Sequence, residues 1–93
     1  MSDYRIRQTS QFKKDLKRLI KQGKDISKLA EMVDELASGK ALSEKHKDHT
    51  LGSNWADYRD CHIEPDWVLI YKKQDDLLIL TLTRSGSHAD LGL

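Results

Sequence analysis

The period with which apolar and polar residues alternate changes along the chain, and each change marks the border of an element. From Tyr4 to Gln8, Tyr4 and Ile6 alternate with Arg5 and Arg7, which predicts a short half-buried strand. Thr9 or Ser10 then offers an N-cap oxygen. Phe12, Leu16, Leu19 and Ile20 follow at i, i+4, i+7 and i+8, one stripe of an amphipathic helix that Gly23 ends. Asp25 caps a second helix, in which Ile26, Leu29, Ala30, Val33, Leu36 and Ala37 recur at helical spacing until Gly39 stops it. A connection this short predicts an antiparallel helical hairpin whose apolar stripes need a sheet to receive them.

Residues 40–54 show no sustained period and carry many polar groups, among them Lys45, His46, Lys47 and His49, so a long loop is expected. Trp55 to Glu64 reads as a strand. If Tyr58 to Ile63 is extended, Tyr58, Asp60 and His62 share one face while Arg59, Cys61 and Ile63 share the other. Pro65 and Asp66 supply a turn, and Trp67 to Lys73 is a β-branched and aromatic run that suits a central strand. Gln74, Asp75 and Asp76 turn the chain again. Leu77 to Arg84 then makes a last strand with Leu78, Leu80 and Leu82 on one face, Ser85-Gly86-Ser87 is flexible punctuation, and His88 to Leu93 is a short tail. The order β-α-α-β-β-β predicts a single α+β domain over residues 1–93. Its sheet is expected to be four-stranded and antiparallel, with strand 1 added at an edge and the helix hairpin on one face.

The chain has 93 residues and a formal net charge of +1, so its total charge says little about partners. The distribution says more. Residues 1–24 carry eight Lys or Arg against two Asp, a local +6, whereas residues 25–39 carry four acids against Lys28, a local −3. Lys13, Lys17, Lys21 and Lys24 form a ridge on the first helix, either a solvated face or a surface that rewards a phosphate backbone. No run approaches the roughly 20 apolar residues of a membrane span, and Met1 to Arg7 is not followed by the apolar core of a signal peptide. The sole cysteine, Cys61, has no internal disulfide partner and reads as a small core residue in a reducing cytoplasm.

Candidate chemistry concentrates in Tyr58 to Trp67, where His62 precedes Asp66 by four residues, with His49 upstream and His88 in the tail. Imidazoles titrate near neutrality, so they suit a reaction that needs both a base and an acid. RNA cleavage by the substrate's own 2′-hydroxyl is such a reaction and needs no metal. A base removes the hydroxyl proton, an acid protonates the leaving 5′-oxygen, and a cation stabilises the phosphorane. His49, His62 and His88, with Asp66 as a carboxylate partner and Arg84 as the cation, furnish that set. A lone histidine on a strand is more often an ordinary hydrogen-bonded residue, so the proposal depends on convergence of three segments. No metal ligand is expected, because the spacings of His46 with His49 and of His62 with Asp66 suit a helix rather than the expected loop and strand. Trp55 and Tyr58 can stack on bases, while Trp67 and Tyr71 suit the core.

Three blocks carry a family resemblance: Lys47-Asp48-His49-Thr50-Leu51-Gly52-Ser53-Asn54-Trp55, Tyr58 to Tyr71, and Arg84-Ser85-Gly86-Ser87-His88-Ala89-Asp90-Leu91. In that order and spacing they resemble the YafQ branch of the bacterial RelE/ParE toxin superfamily over nearly the full chain. The resemblance implies a type II toxin: an endoribonuclease without a cofactor that cuts translated mRNA in the ribosomal A site. It implies His88 as general acid, His62 or His49 as base aided by Asp66, and Arg84 on the scissile phosphate. Lys13, Lys17 and Lys47 are expected RNA contacts beside Arg84. The implied partners are the ribosome with its mRNA and a cognate antitoxin of ribbon-helix-helix type, through which alone operator DNA would be reached; a membrane is not among them. A ParE-like gyrase inhibitor would share the fold, but a pure binding module does not need three converging imidazoles; a non-catalytic RNA-binding or regulatory domain is the second alternative. Relatives usually close on an aromatic ring where this chain reads Leu91-Gly92-Leu93, so stacking by a terminal ring is not expected.

Overall fold

In a computed structural model, residues 4–39, the backbone of residues 49–50, and residues 58–92 are described. The strand Trp67–Gln74 is buried on both faces along its first five residues, and the fold is built outward from it. Trp67, Leu69 and Tyr71 point to one face, Val68 and Ile70 to the other, so a single β run feeds two apolar clusters.

The elements in chain order are β1 (Arg5–Gln8), α1 (Ser10–Lys21), α2 (Ile26–Ala37), β2 (His49–Thr50), β3 (Arg59–Glu64), β4 (Trp67–Gln74), β5 (Ile79–Gly86) and α3 (His88–Leu91). The sheet order is β1-β5-β4-β3-β2. Local chemistry sets the helix ends. Thr9 Oγ1 accepts the Phe12 N–H at 3.0 Å, Asp25 accepts the Ser27 N–H at 3.1 Å, and Gly23 and Gly39 take the left-handed φ that follows each helix. Phe12, Leu19, Leu29, Met32, Val33 and Leu36 of the two helices pack on Cys61, Leu69, Tyr71, Leu80 and Leu82. Each large apolar side chain so buried contributes roughly 1.5–3 kcal/mol before conformational entropy is counted.

The α+β class, the helix hairpin on one face, the strand meander and the edge position of β1 all hold, but orientation and three borders differ. The sheet is mixed rather than purely antiparallel, because β1 runs parallel to β5 with Arg5 opposite Ile79. A whole helix hairpin separates β1 from the other strands, so no tight turn imposes the antiparallel sense. The pair His49–Thr50 adds a two-residue fifth strand inside the expected loop. Leu77 and Leu78 lie in the turn before β5, with Leu78 at φ 53°, and the strand instead runs on through Ser85 and Gly86. The tail is a capped helical turn: Ser87 and Asp90 form a reciprocal capping box, and Leu91 is buried against Val68 and Ile70. On α1, Ile20 is exposed despite its place in the apolar stripe, and Asp15 is fully buried.

Candidate active site

A turn, a strand and a helix start meet on the face of the sheet opposite α1 and α2. His62 of β3 stands across from Val68 of β4, and Val68 from Gly86 of β5, so one row of the sheet leads from His62 to the segment that enters α3. The Pro65-Asp66 turn joins β3 to β4 and delivers a carboxylate beside that row. Asp66 Oδ1 accepts the His88 backbone N–H at 3.1 Å and lies 2.7 Å from His88 Nδ1. The other nitrogen of that ring, Nε2, faces His62 Nε2 at 3.3 Å, with ring centroids 5.2 Å apart.

This geometry assigns protons. Asp66 can only accept while ionised, so His88 carries hydrogen on Nδ1 and presents Nε2 to His62. The side-chain bond from His88, followed by the backbone bond, holds the Asp66 carboxyl below the ordinary carboxylate range. A carboxylate anchored in this way fixes the orientation of the His88 ring and aims its Nε2 into the site. Asp66 is 72% exposed and His88 39%, so solvent screens the pair and its worth lies in orientation more than in stability.

His62, Asp66 and His88 are therefore brought together as expected. For His49 the backbone alone is described; in register it stands opposite Asp60, two residues before His62 on the neighbouring strand. Lys47, His46, Lys45 and Trp55 lie outside the described residues. Lys13 and Lys17 are exposed on α1, which packs on the opposite face of the sheet, so the structure does not gather them with the histidines. Trp67, Tyr71 and Cys61 are core residues, as expected. Lys24 departs from the ridge: its ammonium lies 3.4 Å from Glu64 and 5.7 Å from the Trp67 ring centroid. Lys24, Lys28, Glu64, Asp66 and Ser87 line a cleft of about 550 Å³ that reaches the Asp66 side of the site.

Arg84 occupies a setting that sequence reasoning did not anticipate. Its Nε and Nη2 donate to the two oxygens of Asp15 at 2.8 and 3.1 Å. The same carboxylate accepts from Arg18 Nη1 at 2.9 Å and from the Ser85 backbone N–H at 3.1 Å. Burial pushes the Asp15 carboxyl upward, and the bonds from Arg84, Ser85 and Arg18 outweigh it, so the group sits below the ordinary range. The Arg84 guanidinium is held further up by the same partner. One signal for this was present: Phe12, Asp15 and Leu19 are spaced i, i+3 and i+7, which places an acid on a buried stripe.

Comparison with known proteins adds the family. The family described as bacterial toxin of type II toxin–antitoxin system, YafQ, matches residues 4–92. An mRNA interferase toxin YafQ of Escherichia coli (strain B / BL21-DE3) is 45% identical over 87 residues, which cover 92% of each chain. The crystal structure of YafQ from E. coli strain BL21(DE3) has a TM-score of 0.89 at 42% identity, covering 95% of this chain and 97% of that one. YafQ in the E. coli DinJ-YafQ toxin-antitoxin complex gives 0.88 at 40% identity, covering 96% and 97%.

Proposed function

The chain belongs to the YafQ family of bacterial type II toxins, and on that premise we propose how it works. It is an mRNA interferase, an endoribonuclease whose partner is a cognate antitoxin. Our reading adds that it cuts translated mRNA in the ribosomal A site of the cytoplasm, with the substrate's 2′-hydroxyl as nucleophile and no metal in the step. The antitoxin is of ribbon-helix-helix type and carries the operator DNA contact.

The observation that carries this reading is the run from Asp66 through His88 to His62. His88, oriented by Asp66 through Nδ1, protonates the leaving 5′-oxygen. Attack in line requires the base on the far side of phosphorus from the acid. Two Nε2 atoms 3.3 Å apart stand on one side of any phosphate they touch. His62 therefore serves best as the proton partner of His88, and His49, on the neighbouring strand, as the base. Arg84 stabilises charge on the phosphorane oxygens.

The test supplies purified protein to translating ribosomes and maps mRNA ends. Wild type is expected to cut, and His88→Ala to cut about 10²–10⁴-fold more slowly, the usual worth of a general acid. Full cutting by His88→Ala, or intact mRNA with blocked gyrase supercoiling, would overturn the reading.

A further inference from the structure

We infer that Asp15 is a positioning residue for the cleavage reaction, fixing the Arg84 guanidinium before RNA arrives; the inference deepens the proposed function and rests on it. Asp15 is fully buried on α1, at a position that an apolar residue would fill at lower desolvation cost. Buried ion pairs are weak devices for stability, so a retained one calls for a role that needs fixed geometry. The pair has such geometry. Arg84 engages Asp15 through the fork of Nε and Nη2, which leaves Nη1 on the edge of the guanidinium turned away from the clamp. Arg84 stands opposite Ile70 in the sheet, two rows along from the row of His62, Val68 and Gly86.

A surface arginine samples many rotamers, and ordering it at the moment of reaction raises the barrier. Clamping it in advance removes that reorganisation. Arg18 braces the clamp from the other side, bonding Asp15 at 2.9 Å and the Ser85 carbonyl at 2.9 Å, and lying 3.7 Å from Asp90. Asp90 in turn accepts the Ser87 N–H that caps α3. One α1 carboxylate thus holds both the phosphate cation and the segment that leads into His88.

The experiment compares wild type, Asp15→Asn, Arg84→Ala and the double variant in single-turnover cutting on programmed ribosomes, with folding checked by melting. Asp15→Asn is expected to slow the cutting step about 10- to 100-fold while half-saturation moves less than about threefold. In the Arg84→Ala background the same change is expected to cost less than about threefold, because the group it positions is gone. An equal factor in both backgrounds, as a merely structural role gives, would overturn the inference. Nitrogen-15 spectra give a second readout. The Arg84 Nε–H of the wild-type protein is expected to exchange slowly and to lose that protection in Asp15→Asn. If Asp15→Asn does not fold, the wild-type signal and Arg84→Lys decide. Fast Nε–H exchange, or undiminished cutting without the fork, would refute a clamp. Wild type that fails to cut translated mRNA would instead sink the proposed function, and the exchange measurement would still report whether Asp15 holds Arg84.

Discussion

Asp66 makes its bond to His88 with a single oxygen, and the chemistry we assign to the pair depends on that atom being a carboxylate. Asp66→Asn keeps the shape but offers His88 Nδ1 a neutral acceptor, or a donor if the amide turns, so His88 loses the charged acceptor that orients its ring. Cutting is expected to fall about 10- to 100-fold, the usual cost of losing a partner that orients a histidine. Melting should change little, because the pair is exposed. The pH profile separates the three histidines. A base must be unprotonated and an acid protonated, so the base sets the acidic limb of the rate profile and the acid sets the alkaline limb. His88→Ala should erase the alkaline limb and His49→Ala the acidic one, whereas His62→Ala should slow cutting with both limbs still present. A profile in which His62→Ala, and not His49→Ala, removes the acidic limb would make His62 the base. Asp66 itself titrates below the ordinary carboxylate range, so the clamp on His88 persists as pH falls to about 4 and is lost only below that.

The elements near the site were legible to different depths because their determinants act over different distances. Thr9, Gly23, Asp25 and Gly39 fix helix ends through bonds and dihedrals spanning three or four residues, so the pattern read both helices to their ends. Ser85-Gly86-Ser87 looked like punctuation because serine and glycine usually break periodic structure. Here Ser85 is buried, taking the Trp67 Nε1–H at 3.0 Å and donating to the Val68 carbonyl at 3.0 Å, while Ser87 caps α3. Neither partner of Ser85 lies next to it in sequence. Gly86 is needed for closeness: a Cβ there would sit 2.5 Å from Arg18 Nη2 and 3.2 Å from the Asp90 Cβ. Arg18 cannot withdraw without giving up Asp15 or the Ser85 carbonyl, so Gly86→Ala is expected to cost about 1–3 kcal/mol. It should also slow cutting by displacing α3. Ser87→Ala removes the cap alone and is expected to cost about 1 kcal/mol. Amide exchange at residues 88–91, compared with urea midpoints, distinguishes local fraying from global loss.

Across the whole molecule, the closeness of His62 and Asp66 could be read from one strand and one turn and the meeting with His88 expected from the chemistry of three histidines, whereas the role of His88 as acid came through family resemblance and the Asp15–Arg84 clamp, spanning most of the chain, was not read at all. Nothing in a linear pattern states which buried acid meets which arginine once a sheet and a helix have closed on each other. The parallel sense of β1 escaped for a related reason, since a long connection leaves strand direction open. The clamp also ties the molecule's stability to pH in a way that can be measured. Asp15 titrates below its unfolded value, so between those two values the unfolded chain binds more protons than the native one. Stability contributed by the clamp is therefore complete above about pH 4 and drains away as pH falls through the native value, with a slope approaching ~1.4 kcal/mol per pH unit for one proton. Asp25, Glu64 and Asp66 shift in the same direction and add to the slope of the wild-type protein. The difference between wild type and Asp15→Asn isolates the single buried group. At pH 7 the variant should be about 1–3 kcal/mol less stable, the cost of facing two half-buried guanidinium groups with a neutral partner, and urea titrations taken at successively lower pH should show that gap narrowing. A gap that stays constant to pH 3 would mean that the Asp15 carboxylate keeps its ordinary affinity for protons, and that the clamp does not hold the charge its geometry implies.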